Sequence, residues 1–81
     1  MMGRDQIMAQ VTAFLEEITD IPQSEMREDS ILMRDLDLSS LEVHSLTSKL
    51  EKAYHLRISS QAVRGFSRIR DIVDYLESAI S

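Results

Sequence analysis

Two adjacent serines, Ser39 and Ser40, stand at the head of a stretch with helical spacing. A hydroxyl at such a place can accept a backbone N–H as an N-cap, or stay free as a point of covalent attachment. The start of a helix gathers unpaired N–H groups and about half a positive charge, so an anionic group there would sit in a favourable field. His44 follows Ser40 by one helical turn. It could touch such a group, or pair with the serine as a base pairs with a nucleophile. No orienting acid or oxyanion donor is identifiable for the catalytic version, and a surface histidine is the plain alternative. Cysteine is absent, so the chain has no thiol of its own, no thiolate metal site and no disulfide. His44 and His55 are the only histidines, and their spacing matches no metal motif.

The elements that must position these serines are predicted to be helices. Glycine numbers two and proline one, and strand-like alternation is nearly absent. A first helix is predicted from about Arg4 to Ile18, with Ile7, Val11, Phe14, Leu15 and Ile18 in one stripe. Thr19, Asp20 and Pro22 end it. The connection from Ile21 to Ser39 is long for so small a protein. Such connections tend to be functional or to hold short structure of their own. Its sparse apolar residues (Ile21, Met26, Ile31, Leu32, Leu36, Leu38) predict that it is pinned across the core.

A second helix is predicted from Ser40 to about Tyr54, with Val43, Leu46, Leu50 and Tyr54 in one stripe and Leu41 and Ala53 flanking. Ser39-Ser40 suits its N-cap, and Glu42 suits the positive end of its dipole. A short third helix runs from Ser60 to Arg64, ended by Gly65. A fourth begins after Ser67, as N-cap, and buries Ile69, Ile72, Val73, Leu76 and Ile80. The fold class is therefore all-α: a small four-helix bundle in one domain, 1–81, with three longer helices and one short one. The methionines Met1, Met2, Met8, Met26 and Met33 share no helical face and read as scattered packing and surface residues.

With 81 residues, the core is thin and a deep catalytic cleft is hard to build. No stretch approaches a membrane span, and Met1-Met2-Gly3-Arg4-Asp5 lacks the apolar run of a signal peptide, so a cytoplasmic, monomeric protein is expected. The net charge of −5 disfavours nucleic acid as a partner. Charge is also unevenly placed. Nine acids against Arg27 and Arg34 leave −7 between Glu16 and Glu42, whereas six cations against Glu51 leave +5 between Val43 and Arg70. Solvated helix faces with local ion pairs explain this as well as a surface that steers a partner.

The segment Asp35-Leu36-Asp37-Leu38-Ser39-Ser40-Leu41-Glu42-Val43 resembles the attachment motif of acyl carrier proteins, D-L-G-x-D-S-L. Ile21-Pro22 and Asp29-Ser30-Ile31-Leu32 look like the loop upstream of that motif, and Ile69-Arg70-Asp71-Ile72-Val73-Asp74-Tyr75-Leu76 is similar to the family's last helix. Four fragments in order span nearly the whole chain. The resemblance implies the family's four-helix fold, with its long loop between helices one and two. It also implies 4'-phosphopantetheine on Ser40, with Ser39 the competitor; were Ser39 modified, the following leucine would be one residue too far away. On this reading the protein is a carrier and no enzyme. A flexible arm ending in a thiol would hold an acyl group as a thioester and present it at high effective concentration. The partners implied are a phosphopantetheinyl transferase, an acyl-loading ligase or transferase, and synthase enzymes of lipid or polyketide type. Asp35, Asp37, Leu41, Glu42, His44 and Ser45 are the expected contacts.

Two positions depart from the motif: its glycine is Asp37, and the aspartate before the modified serine is Ser39. The family's second helix also tends to carry several exposed acids, where this chain has His44, Ser45, Ser48, Lys49 and Lys52. A specialised pathway is the expectation from that change. A peptidyl or aminoacyl carrier, and an unmodified helical interaction domain favoured by Ser39, stay open.

Overall fold

A computed structural model describes residues 3–80; Met1 and Met2, grouped above with the scattered methionines, lie outside them. The helices are α1 (Arg4–Thr19), α2 (Leu32–Asp35), α3 (Ser40–Tyr54), α4 (Ser60–Arg64) and α5 (Ile69–Ile80), with a 3-10 turn at Gln23–Glu25. The three long helices bury one stripe each: Ile7, Val11 and Leu15 from α1, Val43, Leu46 and Leu50 from α3, and Ile69, Ile72, Val73 and Leu76 from α5. Helix α1 packs against both α3 and α5. Burying one such aliphatic side chain is worth about 1.5–3 kcal/mol, so these stripes are what holds the bundle together.

The long connection is pinned as expected, and the pins are visible. Met26, Leu32, Leu36 and Leu38 are buried, while Ile21 and Ile31 are half-buried. An isolated antiparallel bridge joins Ile31 to Arg68. Around it Leu32 N–H donates to the Ser67 carbonyl at 2.9 Å and Ile69 N–H to the Ser30 carbonyl at 3.1 Å. The Arg68 guanidinium adds a bond to the Asp29 carbonyl at 2.8 Å. The segment just before Ser40 is thus tied to the α4–α5 junction. Its apolar residues are too sparse for a long helix, and only the 3-10 turn at Gln23–Glu25 and the single turn of α2 form.

Five residues differ from the sequence reading. Leu41 is not part of the buried flank but 79% exposed. Ala53 is exposed and Ile80 only half-buried, as is usual where helices end. Gly65 ends α4 with φ −83°, so no left-handed glycine cap is made, and its N–H reaches back to the Ala62 carbonyl at 3.0 Å. At α5 the capping carboxylate is Asp71, which accepts the N–H groups of Ser67 and Arg68 at 2.9 and 2.8 Å; Ser67 contributes backbone.

Candidate functional site

The backbone turns from α2 into α3 through Asp37, whose φ of 55° lies in the left-handed region. Glycine adopts that region freely and aspartate tolerates it better than most residues. The motif's glycine and this chain's Asp37 therefore meet the same backbone demand. Asp35 works on the other side of the turn: its carboxylate accepts the Ile31 N–H at 2.7 Å. That bond, with the cations Arg34 and Arg68 nearby, holds the Asp35 carboxyl below the usual carboxylate range despite some desolvation.

At the head of α3 the two serines have different tasks. Ser39 is the N-cap; its Oγ accepts the Glu42 N–H at 3.2 Å. Glu42 returns the bond by accepting the Ser39 N–H at 2.9 Å, completing a capping box. Ser40, the first helical residue, is exposed, and its hydroxyl has no partner among the described residues. The backbone N–H groups of Ser40 and Leu41 likewise find no acceptor among the described residues. Two orphan donors and a free hydroxyl thus share the positive end of a 15-residue helix.

Of the other expected contacts, Leu41 projects into solvent beside Ser40, and Met33, 55% exposed, is the second large apolar side chain to do so. His44, Ser45, Asp37 and Asp35 are exposed, and Glu42 is half-buried by its capping role. No hydrogen bond joins Ser40 to His44 among the described residues. A groove of about 270 Å³ opens directly against Ser40, walled by Met33, Val43, His44, Val63, Arg64 and Phe66. Sequence reasoning missed the far wall, Val63, Arg64 and Phe66. The only available signal was the apolar pair Val63 and Phe66 around a helix too short to show which neighbour it faces.

This geometry suits an anionic group on a flexible tether: a free hydroxyl, unpaired N–H donors, and a partly apolar groove alongside. A small helical carrier is the class of protein that it defines. The comparisons with known proteins make the class definite. The family model described as a phosphopantetheine attachment site matches residues 9–76. The chain is 28% identical over 74 residues to an acyl carrier protein of Rhodococcus erythropolis, covering 91% of this chain and 81% of that one. It is 28% identical over 76 residues to an acyl carrier protein of Borreliella burgdorferi, covering 94% and 95%. It is 27% identical over 74 residues to the meromycolate extension acyl carrier protein of Mycobacterium tuberculosis, of which it spans 64%. The fold matches a solved acyl carrier protein from Enterococcus faecalis with a TM-score of 0.81 at 22% identity, over 95% of this chain and 98% of that one.

The chain belongs to the phosphopantetheine-binding acyl carrier family. The cofactor of that family is 4'-phosphopantetheine, covalently attached, and the anion-ready helix start fits it. No helix among the described residues is long and apolar enough to cross a membrane.

Proposed function

We propose that Ser40 carries the phosphopantetheine arm and that the protein presents acyl groups, bound as thioesters on that arm, to biosynthetic enzymes. The observation that carries this reading is the division of labour between the serines. Ser39 Oγ is occupied as the cap, while Ser40 Oγ is exposed and unpartnered among the described residues beside unpaired N–H donors. When bound, the arm supplies the thiol that the chain lacks. The residues of the chain itself do the rest: the α3 terminus provides the field for the phosphodiester, and Asp37 and Asp35 hold the turn that projects Ser40 outward. Serine in place of aspartate at position 39, which on sequence favoured an unmodified interaction domain, is accounted for by the cap, since the two residues cap helices about equally well.

Leu41 and Met33 form an apolar contact for partner enzymes, flanked by Asp35, Asp37, His44 and Ser45. A phosphopantetheinyl transferase, an acyl-loading enzyme and synthase enzymes are the partners. Both carboxylates of α3 are engaged by the chain's own backbone, Glu42 by Ser39 and Glu51 by the Ile58 N–H at 2.8 Å. Partners that rely on free acids along this helix would therefore bind weakly, which supports a specialised lipid or polyketide-type pathway in the cytoplasm. That pathway reading fails if a general fatty-acid ketosynthase and malonyl transferase use this carrier as well as they use a carrier with an acidic helix.

Incubation with coenzyme A and a broad-specificity phosphopantetheinyl transferase, followed by intact mass measurement, tests the attachment point. Wild type and Ser39→Ala gain the mass of the arm and Ser40→Ala does not. A gain that survives Ser40→Ala overturns the proposal.

A further inference from the structure

Resting on Ser40 as the attachment point, a second feature of the groove concerns how the arm is held. Ser40 and His44 line one wall and Arg64, the last residue of α4, lines the other. An adjoining cavity of about 290 Å³, walled by Ile31, Met33, Arg64, Phe66 and Ser67, shares Met33, Arg64 and Phe66 with the first. Arg64 thus stands where the two meet. Its guanidinium has no carboxylate partner among the described residues, nor has the His44 side chain any hydrogen bond there. Other arginines near the site are occupied: Arg68 by the Asp29 carbonyl, and Arg34 by Asp35 at 3.5 Å. Of the acids around the head of α3, Asp35 is engaged by the Ile31 N–H and Glu42 by the Ser39 N–H.

We propose that Arg64, from across the groove, and His44, from the Ser40 side, form with the N–H donors of Ser40 and Leu41 a seat for the phosphodiester of the arm. Arg64 supplies a permanent positive charge with several N–H donors, the geometry suited to phosphate oxygens. His44, on the same side of α3 as Ser40, supplies a ring N–H from one turn further on. The seat holds the first part of the arm against α4, so the remainder starts from the groove and not from open solvent. Arg64 and His44 are positioning residues: they touch the arm and leave the thiol alone.

The test uses protein loaded from coenzyme A, its mass gain checked first, and compares amide NMR spectra before and after loading. Loading wild type shifts the amides of Val63, Arg64, Gly65 and Phe66 as well as those beside Ser40. In Arg64→Gln the shifts beside Ser40 persist and those in α4 shrink, while Arg64→Lys restores part of them. An exposed ion pair changes the docked-to-free ratio by about 1.5- to 5-fold, so the α4 shifts fall by up to that factor. They also fall in wild type at about 1 M salt, where screening acts within a few Å. His44→Gln gives a smaller loss. Shifts in α4 that are absent in wild type, or undiminished in Arg64→Gln, overturn the seat while leaving Ser40 intact. A missing mass gain, or one that survives Ser40→Ala, overturns the attachment point and the seat with it.

Discussion

Replacing Ser39 with alanine removes the Oγ that accepts the Glu42 N–H at 3.2 Å and leaves one half of the capping box. The reciprocal bond from Ser39 N–H to the Glu42 carboxylate, 2.9 Å, uses backbone and survives. Loss of a serine cap costs about 1 kcal/mol, within a range of about 0.5–2. For a domain of this size that lowers the thermal midpoint by about 4–8 °C. Ser40→Ala removes an exposed hydroxyl with no partner among the described residues and introduces a strong helix former, so its stability stays within about 0.5 kcal/mol of wild type. Modification responds the other way: Ser39→Ala accepts the arm and Ser40→Ala does not. Ser39→Asp, which restores the motif's residue, keeps both stability and loading. Thermal unfolding followed by circular dichroism, paired with intact mass after loading, reads both effects on the same samples. If Ser39→Ala unfolds at the wild-type midpoint, or if it folds and cannot be loaded, the separation of cap from attachment point is wrong.

Other expectations concern the scaffold. Asp37→Gly relieves the left-handed residue but loosens the unfolded chain, so it changes stability by less than about 1 kcal/mol, whereas Asp37→Val costs about 1–2 kcal/mol in urea unfolding. The Arg4 guanidinium meets Glu28 at 2.8 Å, Asp74 at 2.8 Å and Glu77 at 3.0 Å, joining α1, the long connection and α5. Arg4→Leu therefore lowers the urea midpoint, and the deficit narrows in about 1 M salt. The folded state holds the Asp35 carboxyl low through the Ile31 N–H and the Glu28 carboxyl low through Arg4. A carboxyl depressed on folding stabilises above its unfolded-state value and loses that contribution as pH falls through the folded one. Stability thus declines below about pH 4, and Asp35→Asn, measured from pH 2 to 7, flattens that acid limb.

The helices were legible because their apolar residues repeat over several turns. The bounds Ser40–Tyr54 and Ser60–Arg64 follow from the sequence without adjustment. Helix α2 was not legible, because a single turn has no period; it is set by Leu32, Leu36 and Leu38 reaching the core and by the bridge from Ile31 to Arg68. Around the site, the serine pair and the turn could be read from residue types, but which serine capped the helix required the Glu42 geometry. Leu41 looked like a flanking core residue since hydropathy alone cannot tell a buried leucine from one offered to a partner. Arg64 stayed hidden for a related reason: its role depends on α4 folding back beside Ser40, some two dozen residues away in sequence.

Helix α4 has only five residues, and Val63 is the only one among them that is buried. A helix that short has no stability of its own and depends on Val63, on the half-buried Ala62 beside it and on the Ser59 cap, whose Oγ accepts the Ala62 N–H at 3.1 Å. Its amides should exchange hydrogen with solvent through local opening, far faster than those at the centres of α1, α3 and α5. The wall of the groove can then swing out while the rest of the bundle stays folded. Any group that packs against α4 in the closed state slows exchange in α4 alone and leaves the three long helices unchanged.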